Sequence, residues 1–346
     1  MKKGLFILII LTVIIAVVLT FSIIGCKSTS EKYAEKSFVK TIEETETGDD
    51  ELTVSEEKEQ NSGEDMIFKE ETAPVPQWIK NDPMKEKEGP WYQSLYTAVS
   101  TDGLNFTGDK LFLEHSGVAN LIPTSHNKLI ATFQYFSFIN EEMFDVIAYA
   151  VSEDYGETWS AVRPVNITGL GNGPHPVDPT LVQLDDGTFR LYFTYHKQGN
   201  LYPQLFSAQG DSIDSEFASE GQQLSVDEII LDPAVVKFNG IWHHYTVKHG
   251  TELTKTPNNS TNVHSISETG LDFELADDIE LDMEMLGDVI ADGDGLRFYN
   301  GPKSAFSIDG YNWVIDEGER VRGADPGVVK LPDGSYIIIY THIEKK

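Results

Sequence analysis

Ser152-Glu153-Asp154-Tyr155-Gly156-Glu157-Thr158-Trp159 closes a β-rich run, and shortened copies of it recur along the chain. Ser100-Thr101-Asp102-Gly103-Leu104-Asn105-Phe106 and Ser307-Ile308-Asp309-Gly310-Tyr311-Asn312-Trp313 are one residue shorter. Ser267-Glu268-Thr269-Gly270-Leu271-Asp272-Phe273 has Thr in place of Asp, and Ser212-Ile213-Asp214-Ser215-Glu216-Phe217 is a worn copy. Each copy has a local physical logic. The Asp accepts backbone N–H bonds in a tight turn, the Gly takes the positive φ, and the aromatic packs back on its own hairpin. A repeat at intervals of roughly forty to sixty residues indicates stacked or radial modules.

A second repeat interleaves with the first. Asp178-Pro179, Asp232-Pro233 and Asp325-Pro326 each open a β-branched run that turns at Asp-Gly or Asn-Gly into a second, aromatic-rich run. The second runs end at His196, His249 and His342. Such pairs read as β-hairpins. Val289 to Tyr299 and Leu121 to Phe133 make two more hairpins, without the Asp-Pro. Five hairpins of each kind give an all-β chain, a five-bladed β-propeller of four-stranded blades over residues 76–346. The order of the repeats predicts a shared last blade. Its inner strands come from Asp325 to Ile343 and its outer strands from about residues 92–115, a closure that protects the edges at the seam.

The first repeat resembles the Asp-box (BNR) repeat of sialidase-like β-propellers, over roughly residues 90–345. In that family the box lies between the third and fourth strands of a blade, on the periphery, so the resemblance speaks to fold rather than chemistry. It does not extend to sialidase activity, which in that family needs an arginine triad. Past residue 75 only Arg163, Arg190, Arg297, Arg320 and Arg322 are present, two of them inside hairpin strands, and no Arg-Ile-Pro motif occurs.

Met1-Lys2-Lys3 precedes an apolar run from Leu5 to Ile24, then Gly25 and Cys26, the only cysteine. This resembles a bacterial lipoprotein signal, cleaved before Cys26 with lipid on its sulfur; the alternative is an uncleaved anchor, since the run is long enough to span a bilayer. Residues 1–25 are thus a signal peptide or membrane anchor. Residues 26–75, rich in Glu, Ser, Thr and Lys, read as an acidic disordered tether, since they bury too little apolar surface to offset ordering entropy; a regulatory acidic tail is the alternative. Either reading of the N-terminus exports the rest of the chain, a cell-envelope lipoprotein with its globular domain outside the cytoplasm. No disulfide framework is possible. The net charge of −30 repels nucleic acid and anionic lipid and suits neutral or cationic ligands. A monomer is expected.

Antiparallel pairing returns the end of each second strand to the face where the inner strand begins. Asp178, Asp232 and Asp325 therefore converge with His196, His249 and His342 near one mouth of the channel, and His175 lies just upstream. This arrangement looks like the five-bladed glycosidase propellers of the arabinanase, xylosidase and invertase kind. The resemblance implies that Asp178 is the base or nucleophile, Asp232 the orienting or pKa-tuning carboxylate, and Glu284, in Met283-Glu284-Met285, the proton donor. It leaves His175, His196, His249, Asp325 and His342 to bind a neutral oligosaccharide or polysaccharide. Glu228 and Asp288 are rivals for the Glu284 role, and the first inner hairpin has no Asp where those families place their base. Two readings stay open: a glycoside hydrolase-like enzyme, and a non-catalytic propeller that binds a glycan or a protein. Neither requires a cofactor, although a calcium in the channel is compatible with both. Asp292-Gly293-Asp294-Gly295 lacks the bidentate Glu of a full calcium loop and reads as a hairpin turn.

Overall fold

A computed structural model describes residues 89–124, 127–249 and 261–343. The signal or anchor at 1–25, Cys26 and the tether 26–75 lie outside these residues. Among them the chain forms strands β1 (Ser94–Ser100) and β2 (Thr107–Glu114), followed by five groups of strands. Blade 1 is β3 (Ser116–Pro123), β4 (Leu129–Phe136), β5 (Phe144–Ser152) and β6 (Arg163–Pro164). After β7 (Asn166–Thr168), blade 2 continues with β8 (Val177–Gln183), β9 (Phe189–Tyr195), β10 (Gln204–Gly210) and β11 (Glu216–Gln222). Blade 3 is β12 (Ile230–Phe238), β13 (Ile241–Lys248), β14 (Thr261–Ser267) and β15 (Glu274–Leu275). Blade 4 is β16 (Asp288–Asp292), β17 (Gly295–Tyr299), β18 (Ser304–Ser307) and β19 (Val314–Ile315). Blade 5 takes β20 (Gly323–Lys330) and β21 (Tyr336–His342) from the end of the chain and β1 and β2 from its start, in the order β2-β1-β21-β20.

The five sheets form a ring, a five-bladed β-propeller closed as the repeats predict. The inner strands β3, β8, β12, β16 and β20 each lie against the next, and β20 against β3. Five of the buried clusters correspond to the five blade interfaces. Leu121, Leu129, Ala131 and Phe133 of blade 1 pack on Leu95, Ile337 and Ile339 of blade 5, while Ile130 and Tyr149 face Leu191 and Phe193 of blade 2. The period-two alternation of a strand supplies both interfaces of a blade at once, and β4 and β9 are buried along their whole length. One expectation needs correction. Blade 2 has a fifth strand, because β7 pairs in parallel with β11 (Phe217 with Ile167) and covers the ladder groups of an edge that four strands would leave open.

The Ser-Asp-Gly turns and their variants at Ser212 and Ser267 join the third and fourth strands of every blade. In the full form, Asp154 Oδ1 accepts the Thr158 N–H at 2.9 Å and the Ser152 hydroxyl at 2.8 Å, and Ser152 Oγ accepts the Gly156 N–H at 2.7 Å. Asp102 accepts backbone N–H bonds from Leu104 and Asn105, both at 2.8 Å. Those donors, the Asn105 N–H foremost, hold its carboxyl well below the usual range. The turns also do something their sequence does not suggest. Tyr192 donates its hydroxyl to Gly270 O of the next blade's turn at 2.7 Å, Tyr245 to Gly310 O at 2.9 Å, and Tyr299 to Gly103 O at 3.0 Å. Three consecutive blade interfaces are latched in this way.

Gly270 has φ +80°, and a Cβ there would meet Tyr192 Oη at 2.8 Å and Arg190 Nη1 at 2.9 Å. Gly187, in the blade 2 hairpin, has φ +90° but open space around it. Gly187→Ala is therefore expected to cost about 1 kcal/mol, for backbone strain alone, and Gly270→Ala at least about 2 kcal/mol. Urea denaturation of the two variants checks the difference.

Candidate functional site

The mouth of the ring is built from a repeated irregularity. In β3, β8, β12 and β20 the pairing shifts register, between Gly117 and Asn120, Val177 and Thr180, Leu231 and Ala234, and Ala324 and Gly327. Within each bulge one residue takes a left-handed φ: Val118 at 48°, Asp178 at 58°, Asp232 at 50° and Asp325 at 46°. A bulge re-aims a side chain out of the ladder, and Asp tolerates this conformation better than most residues. All four line one narrow cleft of about 10 Å³, room for a single water, with Asn120 and Thr180. The sequence-predicted trio Asp178, Asp232 and Asp325 is thus brought together.

The three carboxyls share their charge. Asp178 is 9% exposed and accepts the Asp232 N–H at 3.3 Å, with the Thr194 hydroxyl and the Asp232 carboxyl as further donors close by. Burial raises Asp178, but these donors pull it back. Asp232 is raised well above the carboxylate range by burial, then by the charges of Asp178 and Asp325. Both carboxyls are raised, by burial first, so the pair keeps a proton above the ordinary carboxylate range. Asp325 is pushed up to about 6 by burial and by Asp178.

Blade 4 departs from the pattern. Its β16 runs without a bulge, and Asp288 pairs with Tyr299 as Thr180 pairs with Tyr192. Asp288 thereby stands past the mouth, where Oδ2 accepts the Val328 N–H at 2.8 Å and Oδ1 accepts the Val289 N–H at 2.9 Å and Asn120 Nδ2 at 3.3 Å. Asn120 Oδ1 accepts the Leu181 N–H at 2.9 Å, so blades 4, 5, 1 and 2 are tied across the channel. Burial pushes Asp288 up to about 7 despite its three donors. Sequence ranks it as a rival acid; the structure gives it a floor of the channel to hold.

Glu284 stands apart from the trio. It is exposed and lines a neighbouring cleft of about 420 Å³ with Asn262, Asp282, Asn300 and Lys303. His249 lies within electrostatic reach of it. The other histidines are spread around the face. His175 donates from Nδ1 to the Asp145 carbonyl at 2.6 Å. His196 is exposed and bonded to Asn200 O of its own loop at 3.1 Å, and His342 lies on the Tyr96 ring, 4.4 Å between centroids. No described arginine lines either cleft; Arg190 is paired with Glu220, and Arg297 with Asp292 and Asp316. Among the described residues no three acidic or histidine side chains form a metal cage. Asp145, which no sequence pattern marks, is a further carboxyl on this face, close enough for its charge to act on Asp178.

No protein-family model matches the chain, and no curated protein matches it in sequence. Solved structures similar to it include a thermostable family-43 glycoside hydrolase (12% identity, 66% of this chain and 84% of that one, TM-score 0.49). Another is Zg3597, a family 117 glycoside hydrolase of the marine bacterium Zobellia galactanivorans (14% identity, 73% and 91%, TM-score 0.45). A third is the α-L-arabinanase of Penicillium chrysogenum in complex with arabinobiose (11% identity, 71% and 75%, TM-score 0.44). The blade count here rests on the sheet order itself.

A carboxyl held above its unfolded value stabilises the fold only while protonated, so this contribution is lost as pH rises through the folded value. For Asp325 the loss falls between about pH 4 and the folded value of about 6. Asp325→Asn is therefore expected to raise stability by about 1–3 kcal/mol at pH 8 and to leave it unchanged at pH 4. Urea midpoints at the two pH values check it.

Proposed function

We propose that the mouth face is a glycoside hydrolase-like site acting on a neutral oligosaccharide or polysaccharide. The observation that carries this reading is the convergence of Asp178, Asp232 and Asp325, from three blades, on one cleft in which their charges are coupled. Hydrolysis of a glycosidic bond needs one ionised and one protonated carboxyl on opposite sides of it. Asp178 is the ionised base or nucleophile, and Asp232 holds the adjacent proton and tunes it. Glu284, in the larger cleft beside them, is the proton donor. That cleft has the size of a small-ligand site, and a neutral ligand meets no repulsion from the acids around it. His175 and His249, with Asp325, bind hydroxyls at its edges; His196 and His342 are the more peripheral contacts.

The domain works outside the cytoplasm, tethered through residues 26–75 to a lipid on Cys26, as a monomer. This part of the proposal is supported by the apolar run before the lone cysteine.

Val118 favours the second reading, a non-catalytic glycan- or protein-binding propeller, because an apolar residue occupies the blade 1 position of the ring. The two are separated by turnover on a panel of 4-nitrophenyl glycosides and plant and algal oligosaccharides. The hydrolytic reading expects Asp178→Asn and Glu284→Gln each to lower turnover by about 10²–10⁴-fold while the fold stays intact. Full activity in both variants contradicts the assignment. Binding by the wild-type chain without turnover supports the alternative.

A further inference from the structure

Blade 1 leaves a gap in the ring of acids. Val118 has the same left-handed φ as Asp178, Asp232 and Asp325 and lines the same cleft, but carries no carboxyl. On this side the carboxyl comes from a different strand. Asp145 is the second residue of β5, which starts on the mouth face because β4 ends there. It too is left-handed, with φ 58°, and it is only half-buried. The His175 imidazole lies beside it, held by the bond to the Asp145 carbonyl.

Register shows what holds this carboxyl. Gln134 pairs with Gly117 as Thr194 pairs with Val177. Thr194 lies by Asp178 of its own inner strand and lowers it. Gln134, with only Val118 in the equivalent place, reaches Asp145 instead, and its Nε2 donates to Oδ1 at 2.8 Å. Gln134 is 3% exposed, yet its Oε1 has no partner. An amide bonded at one end can turn over: Nε2 donates to a carboxylate, and Oε1 accepts from the protonated acid. Such a partner serves both states of a carboxyl that gains and loses a proton. Asp178 is the contrary case, since the Asp232 N–H bonds it and the Thr194 hydroxyl and the Asp232 carboxyl crowd it.

We propose that Asp145, in place of Asp178, is the proton-accepting carboxylate of the mouth, with Gln134 and His175 as positioning residues, an inference that rests on the hydrolytic reading above and moves its base to blade 1. In the step it takes, the oxygen of an attacking water bonds to the anomeric carbon while one proton of that water passes to Asp145. The electron pair of the breaking glycosidic C–O bond stays on the departing oxygen, which receives the Glu284 proton. Asp178, its lone pairs engaged, stabilises the positive charge that develops on the sugar. The charged groups facing Asp145 are His175, from the segment before β8, and Asp178, from β8 itself. Burial raises its pKa, with Gln134 and His175 lowering it in part, the direction a base working near neutrality requires.

Asp145→Asn tests this with little risk to the fold, since Asn accepts the left-handed φ and still takes the Gln134 bond. On 4-nitrophenyl α-L-arabinofuranoside, β-D-xylopyranoside or β-D-galactopyranoside, kcat is expected to fall about 10²–10⁴-fold with KM little changed. The acid limb of the pH profile disappears, and added formate restores part of the rate. Gln134→Leu gives a smaller loss and moves the acid limb to higher pH. An Asp145→Asn variant that keeps its kcat and acid limb overturns the proposal, as does a loss that formate does not relieve. A wild-type chain that hydrolyses none of these substrates or their oligosaccharides instead overturns the hydrolytic reading, and this inference with it.

Discussion

Pairing between the two ends of the propeller is the constraint on which the rest depends. Leu95 to Ser100 of β1 lie in unbroken antiparallel register with Thr341 to Tyr336 of β21. Without that ladder, blade 5 would be a lone hairpin with an open edge, and the ring would have nothing to close on. With it, β20 is pressed against β3 so tightly that a Cβ on Gly327 would come within 2.6 Å of Asn120 Cα. This contact brings Asp325 round to Asp178 and Asp232, and lets the Asp288 carboxylate in blade 4 reach the Val328 N–H in blade 5 and the Asn120 amide in blade 1. The acid mouth and the sealed channel beneath it are both consequences of closure.

The same side chain has opposite electrostatics at the two ends of a blade. In the rim turns Asp102 and Asp309 lie in water and receive several donors, which keep them ionised far into acid. At the mouth Asp325 and Asp232 are enclosed, short of donors and beside like charge, and both are raised. Burial and the supply of N–H groups, not residue type, decide which aspartates can exchange a proton near neutrality. The mouth set also sits on left-handed backbone, at a cost of order 1–3 kcal/mol for each such residue. Rim latches and the five apolar interfaces stabilise the ring against that expense. Strain and buried like charge gathered at one end of a fold are common features of chemical sites.

The architecture was open to sequence reasoning because its signals are local. Asp-Gly and Asn-Gly turns, Ser-Asp-Gly turns and two-residue alternation are each read within about ten residues, and their order alone gave blade count and closure. Asp178, Asp232 and Asp325 were legible for a similar reason, marked by the following proline. What escaped depends on register between distant strands. Asp145 looks like any polar residue at a strand start; only the pairing of Gln134 with Gly117, and the apolar Val118 between, shows why a carboxyl belongs there. Asp288 lacks the bulge of its counterparts, and its partners Val328 and Asn120 lie far along the chain in two other strands. The tyrosine latches were hidden because each joins a strand to a turn in the next blade. The strand β7 was hidden because three residues carry too little pattern to register as a strand.

The chemistry at the mouth depends on its carboxyls acting as one electrostatic unit. Carbon-13 NMR titration of the aspartate carboxyls, in the wild-type chain and in Asp178→Asn, measures this directly. Coupling predicts that Asp232 stays protonated well above the ordinary carboxylate range in the wild type, that Asp325 titrates near its value of about 6, and that both midpoints fall when the Asp178 charge is removed. Ordinary, independent midpoints for all three, unchanged by that substitution, would contradict it.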